Sequence, residues 1–551
     1  MPVHSKYPPI VVPQQDIWNF VFDRRDRPFP DDHVIFVDGN TKRQLTHADL
    51  REQSKAFGIG LKSRFSWRKD DVFCLFCTNQ IDTPPLTLGV AWASGIVTPA
   101  NPNYTVDELT FQLKDSGAKA IATLADLLPV ATAAAANVGI PKDRILIVGD
   151  KRAPGFTHWR EVVDPSTAVK WRKGKVDPNK DLAFLVYSSG TTGHPKGVML
   201  SHNNVCSDVL MMLAGEGDNL TWERDRLLGF LPFFHIYGLT SLVLQSCYSG
   251  KQVVVMDRFD LDKFCGIIQD HKITMSYIVP PVVLLLAKSP VVDKYNMKSL
   301  RMLNSGAAPL TRELVEAVWD RLKVPIKQGY GLSETSPVTH MQQWHLWQST
   351  IGSVGHLLPN MSAKYCDEEG NEVPVGETGE LWLKGPNVML GYLNNPTATA
   401  NSITPDGYFK TGDIGHEDKD GNVYITDRVK ELIKYKGFQV PPAELEGKLN
   451  GHPKIDDCAV IGIYDETLAS EVPRAYVVPK AGASTDGLAE EIVRYIHERV
   501  AQHKRLRGGV KFVDSIPKSV SGKILRRVLK EQIKQEVAEA KEVAEPLKAK
   551  L

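Results

Sequence analysis

Short apolar runs alternate with helix-like stretches through most of the first 400 residues. The strand-like runs are bounded by turn residues and lie at residues 72–77, 120–123, 145–148, 182–186, 253–256 and 275–279. Between them, residues 311–323 place a set of apolar side chains on one helical face, namely Leu314, Val315, Val318, Trp319 and Leu322. This alternation is typical of layered α/β architecture, which is the fold class that we predict.

The pattern changes after residues 427–430. The rest of the chain contains short strands at residues 458–463 and 474–478, a helix at 488–500 and a terminal helix from Ile524. A chain of 551 residues exceeds the length of roughly 250–300 at which a single core stops growing. We therefore predict a large N-terminal domain over residues 1–428 and a small α+β C-terminal domain over residues 429–551.

The charge balance excludes some classes of function. The chain has 66 basic and 65 acidic residues and a formal net charge of +1, which argues against a nucleic-acid-binding surface spread over the molecule. No run of about 18 uncharged apolar residues occurs, so we expect no membrane span. The first residues lack the basic-then-apolar pattern of a secretory signal.

The cysteines indicate reduced thiols, because an odd number of them is dispersed along the sequence. Cys74 and Cys77 have redox or metal spacing, but they lie in an apolar run. On a strand their side chains would point to opposite faces, so we interpret both as core residues.

The final residues, Ala549, Lys550 and Leu551, resemble the Ser-Lys-Leu peroxisomal address, with alanine as the small residue. We predict recognition by a peroxisomal import receptor. The alternative is a cytoplasmic protein whose sequence ends in a charged helix.

Residues 187–198 have the composition of a polyphosphate-binding loop. Three glycines free the backbone so that its N–H groups can turn toward one anion. Lys196 adds a positive charge, and hydroxyl donors come from Ser188, Ser189, Thr191 and Thr192. Because Gly197 follows the lysine, this is not the common nucleotide loop.

Four further segments carry candidate chemistry. Residues 328–335 combine glycines with Tyr330, Ser333 and Glu334, and a glutamate carboxylate suits magnesium beside phosphates. Residues 408–413 place Asp413 on a tight turn, where a carboxylate can accept ribose hydroxyls. Residues 427–437 and 517–527 are basic segments, and the second projects Lys523 ahead of a helix.

Taken together and in this order, these segments resemble the adenylate-forming superfamily of acyl-CoA synthetases, luciferases and peptide-synthetase adenylation domains. The resemblance covers nearly the whole chain. Residues 232–237, 304–310, 433–440 and 442–446 make it closest to 4-coumarate–CoA ligases and related aryl- or acyl-CoA ligases. It implies a multi-layered N-terminal domain and a mobile C-terminal domain. The implied substrates and cofactors are a carboxylic acid, ATP, Mg²⁺ and CoA.

The resemblance implies acyl-AMP formation with Lys523 as the catalytic lysine and Glu334 as the magnesium ligand. It also implies a set of nucleotide-binding residues: Ser188, Ser189, Gly190, Thr191, Thr192, Gly193 and Lys196 for the β- and γ-phosphates, Ser333 for the α-phosphate, Gly306, Ala307, Ala308, Pro309 and Tyr330 around the adenine, and Asp413 and Arg428 for the ribose. Gln328, Gly329 and Gly331 are further cofactor-binding residues that it implies.

For the second step, attack of CoA, the resemblance implies rotation of the C-terminal domain about Lys430. This rotation withdraws Lys523 and brings Lys434, Lys436 and Gly437 to the site. His235 is expected at the junction of the acid pocket and the CoA tunnel.

The implied acid pocket comprises Ile236, Tyr237, Thr240, Asn304, Gly306, Gly329, Gly331, Pro337 and Val338. The 4-coumarate ligases usually carry Asn at the Thr240 position and Lys at the Asn304 position. These departures argue against a 4-hydroxycinnamate and favour an aryl-alkanoic, cinnamic-type or medium-chain fatty acid.

Two alternatives remain open at this point. One is an adenylate-forming enzyme with a non-CoA acceptor or a luciferase-like oxygenase, which keeps the same motifs. The other is an inactive nucleotide or acyl-adenylate sensor, for which the intact Lys196, Glu334, Asp413, Arg428 and Lys523 offer no support.

Overall fold

The computed structural model describes residues 2–162, 171–188, 195–428, 431–436, 438–465, 467–468, 470–519 and 522–532. Within this part, the N-terminal domain has the strands β1 (Val3–His4), β2 (Val34–Asp38), β3 (Gln44–Thr46), β4 (Val72–Phe76), β5 (Ile96–Ala100), β6 (Ala118–Thr123), β7 (Ile145–Ile147), β8 (Thr157–His158), β9 (Leu182–Ser188), β10 (Lys196–Ser201), β11 (Arg226–Gly229), β12 (Gln252–Val255), β13 (Met275–Ile278), β14 (Met302–Ser305), β15 (Ile326–Gly331), β16 (Val338–Met341), β17 (His356–Leu357), β18 (Ser362–Cys366), β19 (Gly379–Lys384), β20 (Gly391–Tyr392), β21 (Phe409–Glu417) and β22 (Val423–Arg428).

The helices of this domain are α1 (Ile17–Phe22), α2 (His47–Phe65), α3 (Thr83–Trp92), α4 (Val106–Ser116), α5 (Leu128–Asn137), α6 (Trp159–Val162), α7 (His202–Glu216), α8 (Ile236–Gly238), α9 (Gln245–Ser249), α10 (Leu261–His271), α11 (Pro280–Lys288), α12 (Arg312–Leu322) and α13 (Pro396–Ser402). The C-terminal domain has β23 (Ile433–Tyr435), β24 (Phe438–Val440), α14 (Pro442–Asn450), β25 (Ile455–Asp465), β26 (Ser470–Pro479), α15 (Leu488–His497) and β27 (Val510–Phe512).

Two large mixed sheets form the framework of the N-terminal domain. One is eight-stranded, with the order β20-β10-β9-β5-β4-β6-β7-β8, and the other is nine-stranded, with the order β17-β16-β15-β14-β13-β11-β12-β2-β3. A five-stranded sheet has the order β1-β18-β19-β21-β22. The middle strands of both large sheets run parallel, for example β4 with β5 and β13 with β14. The predicted layered α/β class is confirmed.

The strands predicted from apolar runs are present with small shifts at their ends. β4 is buried along its whole length, as expected of a strand covered on both faces. Cys74 and Cys77 pack into two different hydrophobic clusters. All seven cysteines are buried free thiols, so the interpretation of Cys74 and Cys77 as core residues is confirmed.

The C-terminal domain has a core of its own, built around Val440, Leu445, Val460 and Ile492. It docks on the N-terminal domain through Lys288, whose ammonium donates to the Ile455 carbonyl at 2.9 Å. The chain therefore consists of a large and a small domain, and the division at residue 428 stays a prediction. The helix expected from Ile524 begins at Arg526. No helix among the described residues is both long and apolar enough to span a bilayer.

Candidate active site

A cavity of about 1620 Å³ lies where the carboxyl ends of parallel strands from both large sheets meet the C-terminal domain. β9, β14 and β15 each end at its wall, and the segment around Lys523 closes it from the other domain. In open α/β sheets, ligands bind at the carboxyl ends of the strands. This cavity is therefore the candidate active site.

One end of the cavity carries hydroxyls, an ammonium and a carboxylate. Ser188 and Lys196 face each other across the β9–β10 pair and so form the two ends of the phosphate-type loop. The Ser188 hydroxyl donates to Glu334 Oε1 at 3.2 Å, and the Tyr392 hydroxyl donates to the same oxygen at 3.0 Å. The Lys196 ammonium lies 4.8 Å from the centre of the Tyr392 ring. These groups can bind a polyphosphate and, through Glu334, a divalent cation.

The middle of the cavity combines a flat ring with a buried ion pair. The Tyr330 hydroxyl donates to Asp413 Oδ2 at 2.6 Å, and Arg428 Nε lies 3.0 Å from Asp413 Oδ1. Burial and the adjacent Asp413 carboxylate raise the pKa of Tyr330 well above its usual value. Asp413 is 3% exposed and lies behind the wall formed by Tyr330, Gly412 and Arg428.

Gly331 is required beside Tyr330 because the backbone turns back on itself there. A Cβ at this position would lie 1.9 Å from the Pro337 carbonyl oxygen, which accepts a hydrogen bond from the Leu332 N–H at 3.0 Å.

Lys523 enters the cavity from a tight turn of the C-terminal domain. Its N–H donates to the Ser519 hydroxyl at 3.1 Å, and its carbonyl accepts from the Ser519 N–H at 2.8 Å. Gly522, at φ +79°, lets this turn approach α11: a Cβ there would lie 2.9 Å from Pro281. Burial, with the Arg428 guanidinium as a second cause, lowers the pKa of Lys523 to about 8.

The neighbouring Arg526 anchors the segment that carries Lys523. Its guanidinium makes two hydrogen bonds of 2.8 Å to the Glu446 carboxylate and an ion pair of 3.1 Å with Glu431. A bidentate arginine–carboxylate pair has a fixed geometry, so it orients the start of the terminal helix.

The other end of the cavity is mostly apolar. Its wall includes Met212, Tyr237, Tyr277 and Asn304. The Tyr237 hydroxyl donates to the Asn304 carbonyl at 3.2 Å, and the Tyr277 hydroxyl donates to Gln245 Oε1 at 3.2 Å. The hydroxyls of both tyrosines therefore already donate hydrogen bonds to protein acceptors, and the rings present flat faces to the cavity.

His235 lines the cavity beside Ile236 and Tyr237. It is the N-cap of α8, where Nδ1 accepts a hydrogen bond from the Tyr237 N–H at 3.2 Å. Burial lowers the pKa of His235 to about 4, so the imidazole is neutral near pH 7.

The structure brings most of the residues predicted from sequence to one cavity. Those on its wall are Ser188, Lys196, His235, Ile236, Tyr237, Asn304, Gly306, Ala307, Gly329, Tyr330, Gly331, Ser333, Glu334, Pro337, Val338, Arg428 and Lys523. They come from segments more than 330 residues apart in the chain.

Several predicted contact residues, among them Asp413, do not lie on the wall. Thr240 was expected in the acid pocket, but its fully buried hydroxyl donates to the Ser336 carbonyl at 2.8 Å. The backbone N–H of Gln328 donates to Gln342 Oε1 at 2.9 Å. Ala307 lines the cavity, whereas Ala308 and Pro309 do not. The ligand contacts predicted for these residues stay predictions.

Other predictions fall outside the cavity or outside the described residues. Lys434 and Lys436 are exposed on the β23–β24 hairpin and do not line the cavity. The remaining predictions concern residues outside the described ranges: Ser189, Gly190, Thr191, Thr192, Gly193, Lys430, Gly437 and the tail Ala549, Lys550 and Leu551.

Sequence reasoning missed several side chains at the site. Tyr392 holds Glu334, and Asp115 accepts a hydrogen bond of 2.7 Å from the Tyr187 hydroxyl at the cavity rim. Met212 and Tyr277 line the apolar part. Each lies in an ordinary helix or strand pattern, so only its packing reveals a role.

The sequence is similar to known enzymes over almost its whole length. Residues 22–393 match the family described as AMP-binding enzyme, and residues 444–523 match its C-terminal domain. Probable 4-coumarate–CoA ligase 2 of Dictyostelium discoideum is 39% identical, with 96% of this chain and 97% of that protein covered. 4-Coumarate–CoA ligase 4 of Arabidopsis thaliana is 38% identical, with 96% and 94% covered.

Solved structures show the same fold. ATP-bound MatB from Rhodopseudomonas palustris superposes with a TM-score of 0.81 at 27% identity, over 94% of this chain and 98% of that one. The anthranilate CoA ligase AuaEII in complex with anthranoyl-AMP has a TM-score of 0.86 at 23% identity, over 96% and 99%. This chain belongs to the AMP-binding enzyme family of adenylate-forming enzymes, and 4-coumarate–CoA ligases are among its relatives.

Proposed function

We propose that this protein is an ATP-dependent acid–CoA ligase that forms an acyl-AMP and then an acyl-CoA thioester. The observation that carries the proposal is the single cavity in which Lys523, the Ser188–Lys196–Glu334 group and an apolar pocket meet. A carboxylate oxygen attacks the α-phosphorus of ATP, and the bond to the α–β bridging oxygen breaks to release pyrophosphate. The thiol of CoA then attacks the acyl carbon, and AMP leaves as the thiol proton is released.

Ser188 and Lys196 would hold the phosphates that leave as pyrophosphate, together with Ser189, Gly190, Thr191, Thr192 and Gly193. Glu334 would hold Mg²⁺, which supplies charge neutralisation at the phosphates. The residues present fit this ion: magnesium is usually bound by one or two carboxylates plus substrate phosphates. No group of three or more potential metal ligands occurs among the described residues, so a site built by protein ligands alone is absent from that part.

In this proposal, Tyr330 stacks on the adenine while the Asp413 carboxylate accepts the ribose hydroxyls. Lys523 places its ammonium between the attacking carboxylate and the α-phosphate oxygens. Because negative charge develops there in the transition state, a preoriented cation in a dehydrated site stabilises it.

We expect kcat/KM for acyl-adenylate formation to fall as the pH rises above about 8, the pKa of Lys523. The protonated ammonium is the active form, and it loses its proton as pH rises through that pKa. Pyrophosphate release across a pH series measures this decline. In Lys523→Arg the guanidinium stays charged, so the decline should disappear even if the rate is lower. A profile with the same alkaline limb in both proteins would contradict the assignment.

The acid pocket favours a hydrophobic acid with a flat or extended tail. Gly306 leaves room beside the ring of Tyr237, since a Cβ at Gly306 would lie 3.2 Å from its hydroxyl. We propose an aryl-alkanoic, cinnamic-type or medium-chain fatty acid. Pyrophosphate release with a panel of such acids of graded length would identify the class.

For the thioester step we propose that the C-terminal domain rotates about Lys430. The rotation would replace Lys523 in the cavity by the hairpin that carries Lys434, Lys436 and Gly437. The exposure of Lys434 and Lys436 in this conformation supports the idea that they serve another one.

Replacing Lys434 by alanine is expected to slow thioester formation by about ten-fold, the value of one hydrogen bond to a charged group. Acyl-adenylate formation should stay unchanged, because Lys434 lies away from the cavity. The two half-reactions are measured separately, with Lys480→Ala as an exposed lysine control in the same domain. A loss in adenylation alone would contradict the proposed role.

Incubation with acid, ATP, Mg²⁺ and CoA, followed by mass analysis for the thioester, tests the function as a whole. Acyl-AMP that accumulates while CoA stays unconsumed would favour another acceptor or a luciferase-like oxygenase. Nucleotide binding without pyrophosphate release would favour a sensor. Import into peroxisomes through Ala549, Lys550 and Leu551 stays a prediction beside the cytoplasmic alternative.

A further inference from the structure

One face of α7 runs behind the cavity. Asn204, Asp208, Met212 and Glu216 recur every four residues, so they lie on the same side of the helix. All four are at most 5% exposed. Met212 lines the apolar pocket, and Glu216 pairs with the buried Lys327 at 2.7 Å. Asp208 instead reaches a backbone turn in front of the helix.

That turn, residues 335–338, joins the two ends of the site. Ser333 and Glu334 precede it at the phosphate end, while Pro337 and Val338 belong to the wall of the acid pocket. We call it the bridging turn. A displacement of the bridging turn would move the carboxylate and the pocket wall together.

Side chains from three distant segments hold the bridging turn. Asn387 Nδ2 donates to the carbonyls of Thr335 and Val338 at 2.8 and 3.0 Å, so it binds both ends of the bridging turn. Asp208 Oδ1 accepts the Val338 N–H at 3.0 Å and lies 3.2 Å from Asn387 Nδ2.

The middle of the bridging turn is held in the same way. The Thr240 hydroxyl donates to the Ser336 carbonyl at 2.8 Å, and the Ser336 hydroxyl donates to the Asn387 carbonyl at 2.8 Å. Asp208, Thr240, Ser336 and Asn387 are each 0% exposed. Water therefore cannot replace these bonds, and loss of one partner leaves a buried peptide group unsatisfied.

Asp208 acts in this network as a hydrogen-bond acceptor. Its Oδ2 has no hydrogen-bond partner in the described part of the chain, and the salt bridges seen there do not include it. Burial raises the pKa of this carboxyl well above its usual range. An asparagine at this position offers the same acceptor oxygen, so it should preserve the network.

We propose that Asp208, Asn387 and Thr240 are positioning residues that hold the bridging turn, so that binding of the acid and of magnesium–ATP depend on the same contacts. This inference rests on the proposed function. It extends that function because it gives a structural role to three residues that contact neither ligand. It also gives Thr240 a role that is consistent with its buried position behind the cavity wall.

The experiment measures two quantities in each variant: the KM of the best acid, and the Mg²⁺ concentration that half-saturates ATP binding by calorimetry. Asn387→Ala and Asp208→Ala are expected to raise both by about ten-fold, as expected from loss of a buried hydrogen-bond partner. Asp208→Asn should restore both values to within about two-fold of the native protein, because the acceptor is kept. Thr240→Val, which keeps the side-chain shape, should raise both by a smaller factor.

Ser353→Ala is the matched control. The Ser353 hydroxyl donates to the Val423 carbonyl at 2.9 Å and is 0% exposed, but Ser353 does not line the cavity. It should lower the melting temperature without raising either binding quantity. The proposal is overturned if the Asn387 and Thr240 variants lower only the melting temperature, if only one of the two quantities changes, or if Asp208→Asn is as defective as Asp208→Ala.

Failure of the proposed function would look different. In that case the native protein forms no acyl-CoA with any acid of the panel. The calorimetric measurement of ATP binding still tests the phosphate side of the bridging turn, because it needs no turnover.

Discussion

Lys523→Ala is expected to lower the rate of acyl-adenylate formation by about 100- to 1,000-fold, the loss typical of removing one oriented group that stabilises transition-state charge. Lys523 is the ammonium that the C-terminal domain brings into the cavity, and the variant leaves the phosphate end and the acid pocket intact. Pyrophosphate release with saturating acid and ATP measures the effect.

The second half-reaction separates this role from a general loss of structure. Attack of CoA on supplied acyl-AMP should proceed at close to the native rate in Lys523→Ala, because Lys523 leaves the cavity for that step in the proposed rotation. Lys454→Ala serves as the control, since Lys454 is an exposed lysine of the same domain paired with Glu491 at 2.7 Å. An equal loss in both half-reactions would refute the proposal that Lys523 serves acyl-adenylate formation while the Lys434 hairpin serves thioester formation.

Asp413→Ala is expected to raise the KM for ATP by about 100-fold, because it removes a charged acceptor for two ribose hydroxyls. Each hydrogen bond to such an acceptor contributes about one or two kcal/mol or more. It also removes the acceptor of the Tyr330 hydroxyl and the partner of Arg428. The ring proposed to stack on the adenine therefore loses its anchor as well. Pyrophosphate release against ATP concentration and calorimetric titration of ATP both report the change.

Asp406→Ala is the matched control for this prediction. Asp406 precedes the same strand, β21, but it is more than half exposed and pairs with Lys364 at 3.0 Å on the surface. Exposed pairs contribute little, so the KM for ATP should stay unchanged in this variant. If Asp413→Ala keeps a native KM for ATP, the ribose assignment is wrong.

Much of the fold was predictable because apolar periodicity reports burial directly. The run at residues 275–279 predicted a strand, and β13 occupies Met275–Ile278. The stripe at residues 311–323 predicted α12, which spans Arg312–Leu322. The order of strands in the two large sheets was not predictable, because pairing such as β5 with β9 joins segments more than 80 residues apart.

The candidate site was predictable where its chemistry lies in contiguous segments. Glu334, Asp413 and Lys523 stood out because a carboxylate or ammonium follows a glycine or a tight turn. The orientation of the Thr240 hydroxyl was not predictable, because a residue type and a position along the chain do not reveal which way a buried hydroxyl points. The structure directs it to the Ser336 carbonyl.

The sequence by itself determined the family and the α/β class, and it predicted which residues hold phosphates, magnesium and a developing negative charge, because those properties belong to local segments. Only the tertiary structure decided that Tyr392 holds Glu334, that Met212 and Tyr277 line the apolar part of the cavity, and that Asp208 and Asn387 hold the turn at residues 335–338. These contacts arise when helices and loops far apart in the chain pack together, and a buried polar side chain finds its partner only through that packing.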